Sequence, residues 1–238
     1  MRTHLFLFLP FLLLWGQEIP DQETLLENIL SHYQKIEDYS VRVTMSVTMP
    51  KFRMPRKKID IYYKNPGKIK IESDGFAIVP KAGITMSPDA FLSHLDAMDI
   101  TEDPKGGVLI RGQTATDSLS GFIPGNNKTA ESSRVTLILH VNREHWYIDR
   151  VSANLDSVTI FQIESEYEEV TDGIWMPIKT NMVIRMPSDM QSNIPDHAVE
   201  DMGLEDKPFE GNIIIRYSRY KINKGIKDSF FNEADAMF

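Results

Sequence analysis

The stretch Val41-Arg42-Val43-Thr44-Met45-Ser46-Val47-Thr48-Met49 alternates apolar and polar side chains without a break. Successive side chains of an extended chain point to opposite faces, so a period of two marks a strand with one face in a core and the other in water. The same period returns at Ile59, Ile61 and Tyr63 and again at Ile69 and Ile71, on either side of Asn65-Pro66-Gly67, whose Pro and Gly suit a tight hairpin turn. Residues 76–79, 108–111, 135–141, 146–155, 158–170, 175–186 and 213–222 read as further strands, most of them separated by short polar turns. Adjacent antiparallel strands are implied, and the fold class is mainly β with a few helices.

Working outward from this meander, Asp21 is placed to cap a helix running to about Ile36, with Leu25, Leu26, Ile29, Leu30, Tyr33 and Ile36 on one face. Ser87-Pro88-Asp89 is a helix-start signal leading into Phe91, Leu92, Leu95 and Met98 at helical spacing. The tail from 228 to 238 fits either a short helix or a strand-end clamp through Phe230, Phe231, Ala234 and Met237. Residues 112–133 and 187–211 read as long polar loops, the second distinctly acidic, and loops of that length are commonly disordered or serve as functional lids.

At the N-terminus Met1-Arg2-Thr3-His4 precedes an apolar run over 5–15, broken only by Pro10 and closed by Gly16-Gln17-Glu18. This is the pattern of a signal peptide over residues 1–16, too short to span a bilayer, which leaves 17–238 as a single domain. Leu14 departs from the small-residue rule at the position three before the cut, so retention as an anchor stands as the alternative. The sequence has no cysteine, which excludes disulfide stapling and a lipidated cysteine after the apolar run. The formal net charge is −8, which argues against a nucleic-acid partner, since phosphate binding needs a clustered positive surface.

The chain offers no glycine-rich phosphate loop, His-Glu-x-x-His helix or serine elbow. Neither a catalytic residue nor a cofactor is expected, and no metal. His140 and His145 flank a turn with Glu144 between them, but His140 is out of phase with Val135, Leu137, Leu139 and Val141 and belongs to the polar face. Glu164, Glu166 and Glu168 share a face with Gln162 and oppose Phe161, Ile163 and Tyr167, so they read as a solvated outer row. Asn127-Lys128-Thr129 fits a glycosylation sequon, a tripeptide too common to carry weight. Of the 12 methionines, many fall in or beside strands, where an unbranched, polarizable side chain serves equally as core filling or as an adaptable lining for apolar ligands. A curved antiparallel sheet of this size is able to half-close around an interior, with helices covering its apolar face.

The order of features resembles the LolA/LolB-type periplasmic lipoprotein-sorting and lipid-carrier family. The marks are the helix ending in Tyr33-Gln34-Lys35-Ile36-Glu37-Asp38-Tyr39, the strand 41–49, the hairpin Ile61-Tyr62-Tyr63-Lys64-Asn65-Pro66-Gly67-Lys68-Ile69-Lys70-Ile71-Glu72, and Asp172-Gly173-Ile174-Trp175-Met176-Pro177-Ile178-Lys179. Residues 75–83 and the acidic loop have no counterpart in that pattern, which suits a divergent branch. The resemblance implies an incomplete antiparallel β-barrel, a half-barrel wrapped over helices, whose hydrophobic cavity takes up acyl chains. It also implies a soluble periplasmic monomer without enzyme chemistry. Expected partners are a lipid or an acylated lipoprotein, with membrane-bound donor and acceptor proteins. On this reading Val43, Met45, Val47, Ile61, Tyr63, Ile71, Phe161 and Ile163 line the cavity, and the helix 87–98 is a lid that inserts Phe91, Leu95 and Met98 when the cavity is empty. The competing class is a non-enzymatic module that binds or senses envelope proteins through its loops; a hydrolase would require a polar cluster inside the cavity.

Overall fold

A computed structural model describes residues 19–49, 52–73, 88–93, 95–115, 119, 134–186 and 209–232. The proposed signal peptide, the strand at 76–79, Ser87 and most of both long loops lie outside these residues. Asp21 caps the helix α1 (Gln22–Gln34) by accepting the Thr24 amide at 2.9 Å. The helix places Leu25 and Ile29 on one fully buried face. Ten strands follow, interrupted once: β1 (Asp38–Met49), β2 (Phe52–Lys64), β3 (Lys68–Ser73), the one-turn helix α2 (Asp89–Leu92), β4 (Met98–Glu102), β5 (Val108–Ala115), β6 (Arg134–Val141), β7 (Ile148–Leu155), β8 (Val158–Thr171), β9 (Ile174–Met186) and β10 (Phe209–Ile222). A second single turn, α3 (Ser229–Asn232), closes the described chain.

The strands form one antiparallel sheet in the order β3-β2-β1-β10-β9-β8-β7-β6-β5-β4. Two meanders, β1 to β3 and β4 to β10, are therefore joined where the last strand returns to pair with the first. β3 and β4 stand at opposite ends of this order, so the described sheet is open and not a closed barrel.

Three local expectations change. First, the stripe over 87–98 is not one helix. α2 stops at Leu92, the Asp96 amide donates to the Gln113 carbonyl at 3.0 Å, and Met98 opens the unforeseen strand β4. Unpaired backbone groups along β5 capture this segment, and Gly112 permits it: a Cβ there would stand 2.4 Å from the Ala97 carbonyl oxygen. Second, β7 begins at Ile148 rather than 146, because Asn142 accepts the amides of Glu144 and His145 and holds 142–146 in a turn, with Trp146 at a φ of 58°. Third, β2 reaches back to Phe52 over residues given no assignment, while β5 runs forward to Ala115 and β10 back to Phe209, both taking residues read as loop. Of the tail, Ser229–Asn232 take one helical turn, and Ala234 and Met237 lie outside the described residues. The ring of Phe230 meets that of Tyr62 at 4.7 Å, beneath the Lys70 ammonium at 4.1 Å from its centroid.

The junction of the two meanders is held by a buried carboxylate. Asp38, 2% exposed, accepts the amides of Lys224, Gly225 and Ile226 at 3.0, 2.9 and 3.2 Å. Asn223 reciprocates, accepting from the Glu37 amide and donating to the Lys35 carbonyl. One polar staple thus ties the end of α1, the start of β1 and the end of β10. Because bonds to a charged acceptor are worth about 1.5–3 kcal/mol and water compensates only part of their loss, Asp38→Ala is expected to lower unfolding stability by about 2 kcal/mol in denaturant titration. A loss below about 0.5 kcal/mol, the range of ordinary surface substitutions, would show that the staple is dispensable.

Candidate functional site

Register converts the period-two pattern into a continuous apolar surface. Val47, Ile213, Met182, Ile163, Val151, Leu139, Ile110 and Ile100 are successive cross-strand partners from β1 through β10 to β4. The first seven are at most 6% exposed. A parallel row runs through Ile184, Phe161, Ala153, Leu137 and Gly112 to Met98. Side chains from an eight-strand span therefore meet on one face.

Every expected wall residue is on this face: Val43, Met45, Val47, Ile61, Phe161 and Ile163 are buried, and Tyr63 and Ile71 are partly buried against the same cluster. Of the expected lid residues, Phe91 is buried in α2, Leu95 lies after it and Met98 is on β4, the latter two partly buried against the cluster. Expectations did not include Met182, Ile213, Val151, Leu139 or Ile110 as site residues, although their alternation within recognised strands carried the signal.

Among the described residues the face is covered by short parts: α1 contributes Leu25 and Ile29, α2 contributes Phe91 and Leu92, and Leu119 adds a fifth buried apolar side chain. At the C-terminal end of α1, His32 is 4% exposed and its Nε2 meets the Trp175 carbonyl at 3.0 Å. A carbonyl only accepts, so Nε2 carries the proton. His145 stacks on the Trp175 ring at 4.0 Å, and Tyr147 stacks on Tyr167 at 3.9 Å, making an aromatic rim.

Beneath this rim the lining turns polar. The Ser165 and Thr180 hydroxyls are 2.8 Å apart, and the Tyr167 hydroxyl donates to the Ile148 carbonyl at 3.1 Å. The hydroxyls of Tyr33 and Tyr217 are buried and make no hydrogen bond of good geometry. Burial pushes both tyrosines up to about 12, so they stand as neutral donors across the physiological range.

The opposite face carries charge pairs. Arg42 pairs with Asp60 at 2.8 Å, Arg150 with Glu164 at 3.5 Å, Arg185 with Glu210 at 2.8 Å, and Lys179 with Glu166. His140 is engaged by Asp103 at 2.7 Å. Burial works to raise the Asp103 carboxyl, but hydrogen bonds from His140 and the Lys105 amide hold it below the usual carboxylate range. Among the described residues no group of three or more His, Cys, Asp or Glu is arranged to hold a metal ion. A shallow polar groove of about 620 Å³ runs over this face between Lys105 and Ile214. No described helix is long and apolar enough to cross a membrane.

No protein-family model matches the chain, and no curated protein matches it. Three solved structures are similar. A DUF1329 family protein from Desulfovibrio piger shares 11% identity over 88% of this chain and 96% of its own, with a TM-score of 0.47. A putative outer membrane lipoprotein-sorting protein domain from Vibrio parahaemolyticus shares 10% over 89% and 97%, at 0.46. A LolA superfamily protein from Nitrosomonas europaea shares 9% over 86% and 96%, at 0.42. One of the three is named for the LolA superfamily and another for lipoprotein sorting, and at this identity and TM-score the likeness carries no argument.

The His32 contact generates a pH dependence. Burial lowers its pKa from the ordinary value, outweighing the Trp175 carbonyl, with Lys35 and His145 adding to the lowering. The unfolded chain therefore binds the proton more readily than the folded one, so stability is in place above pH ~6.5 and is lost as pH falls through the folded value. His32→Gln, which retains a donor toward Trp175, is expected to flatten the fall in Tm between pH 7 and 5. An unchanged slope in the variant would remove His32 as the source.

Proposed function

We propose that this protein is a non-catalytic carrier of acyl chains, belonging to a lipid or an acylated lipoprotein, held against the inner face of the sheet. The observation that carries the reading is the apolar row from Val47 to Ile100, which spans eight strands and is met, among the described residues, by five buried apolar side chains of the cover. Leu25, Ile29 and Phe91 occupy the position a bound chain would take, and each gains about 2 kcal/mol by burial. A run of ten methylenes gains about 8 kcal/mol on leaving water. Exchange of cover for cargo is therefore close to balanced, which suits reversible loading. Met45 and Met182 sit in this wall, and a flexible thioether adapts to chains of different length.

On this reading residues 17–238 form one half-barrel domain wrapped over α1 and α2. A cleaved signal peptide exports it to the periplasm, and it works there as a soluble monomer between membrane-bound donor and acceptor proteins. Phe91, Leu95 and Met98 act as a retractable edge of the cover rather than as one lid helix. The test is native mass spectrometry of gently purified protein together with titration of the delipidated protein by a fluorescent fatty-acyl probe. The reading expects a lipid adduct and saturable probe uptake. Absence of both would overturn it.

A further inference from the structure

Three separate segments converge on one corner of the sheet, and each brings lysine. The Asn65 amide of the β2–β3 turn donates to the Glu37 carbonyl at 2.8 Å, the Asn223 side chain donates to the Lys35 carbonyl at 2.8 Å, and the Lys64 ammonium donates to the Ile226 carbonyl at 2.7 Å. These bonds gather Lys35 at the end of α1, Lys64 and Lys68 on the hairpin, and Lys221, Lys224 and Lys227 at the end of β10 and just after it. Against these six cations stand the carboxylates of Glu37 and Asp228, the latter shared by Lys64 and Lys68 at 2.7 and 3.2 Å. Asp38 is buried and spent on the staple, and the neighbouring Lys70 is paired with Glu72. The corner is therefore net positive on a chain whose formal net charge is −8. The turns at the same ends of β4 to β9 carry Asp103, Glu144 and Asp172 against Lys105 and Arg143, so along this edge of the sheet the excess positive charge is confined to one corner. Ile69 stands between Lys68 and Lys70 on the edge strand β3 and is 43% exposed.

The composition of the corner selects its partner. Protein interfaces favour arginine and aromatic side chains and are depleted in lysine, and a carboxylate is best matched by the planar guanidinium fork. Here all six cations are lysines, compact charges on flexible stems with no fixed geometry to meet a particular carboxylate. Such a set answers a diffuse sheet of negative charge, and an exposed isoleucine among them answers an apolar layer just beneath that charge. We propose that this corner docks the protein on a bilayer bearing anionic phospholipid headgroups, with the lysines on the phosphates and Ile69 at the acyl boundary. The same surface repels the acidic remainder of the chain, so approach is favourable only corner first. The contact brings the anchored end of α1 to the membrane, and it does not depend on whether the interior carries a lipid.

The experiment measures binding to vesicles of phosphatidylcholine alone and of phosphatidylcholine mixed with phosphatidylglycerol. Wild type and Lys221→Glu/Lys227→Glu share the apolar run over 5–15, so any partition of that run is common to both. Wild type is expected to bind the anionic vesicles at least about tenfold more tightly at low salt, since each lysine near such a surface contributes. The preference is expected to vanish at about 1 M salt, where screening shortens to about 3 Å, and to be largely lost in the double variant. Ile69→Ser is expected to weaken anionic-vesicle binding about threefold while keeping its salt dependence; an unchanged affinity would overturn the apolar part of the contact. Lys221 and Lys227 are exposed, so Tm is expected to hold; if it falls, Lys221→Gln/Lys227→Gln makes the same comparison with a smaller change of charge. Equal binding of wild type to both vesicles, or an anionic preference undiminished in the charge variants, would overturn the proposal. Charge-dependent capture by soluble polyglutamate with no preference between vesicles would overturn it in favour of an acidic protein partner. Uptake of an acyl probe is measured separately, so the carrier reading stands or falls apart from these results.

Discussion

An open sheet with one largely apolar face cannot leave that face in water, and the arrangement of this molecule follows from that constraint. A closed barrel would satisfy the need by wrapping on itself. Here β3 and β4 end the strand order on opposite sides, so cover comes from outside the sheet: among the described residues, four buried apolar side chains of α1 and α2, and Leu119. The contacts are largely non-directional. The directed bonds of α1 to the sheet lie near its C-terminal end, at His32 and at the Asp38–Asn223 staple just beyond it. On the carrier reading, a helix anchored at one end over an apolar surface is the part expected to open first.

The two faces use different physics. Outside, Arg42–Asp60, Arg150–Glu164 and Arg185–Glu210 sit across neighbouring strands, and such exposed pairs contribute little stability; they keep the surface wet and fix register against slippage. Inside, among the described residues, stability comes mainly from apolar burial, and the buried polar exceptions include the Thr180 hydroxyl, the His32 ring and the Asp38 carboxylate of the staple.

Much of the fold was legible because period two is a local signal. Val41 to Met49, Val135 to Val141 and Ile213 to Ile222 declare their faces without reference to any neighbour. β4 was not legible: Met98-Asp99-Ile100-Thr101-Glu102 has only two apolar residues, and with Phe91 and Leu95 they also fit helical spacing. What decides their state is Gly112 on another strand, which admits the Ala97 carbonyl. Wall residues such as Val43 and Ile163 could be assigned from alternation, since parity alone fixes the face. Their union into one row could not, because it depends on bulges such as those after Ser40, Met45 and Glu166. His32, three residues after Ile29 on the buried stripe of α1, was readable as a core position. Its partner carbonyl, 143 residues away, was not.

The central claim is that α1 is a detachable cover over a sheet that stays folded without it. Native-state hydrogen exchange across α1, β1 and β10 tests it most directly. The account predicts that amides of residues 25–34 exchange about tenfold or more faster than those of Val43, Met45, Ile213 and Ile215, through an opening that leaves the strands protected. Equal exchange free energies and equal denaturant dependence for helix and strands would mean that α1 leaves only when the whole sheet unfolds, and would contradict the account.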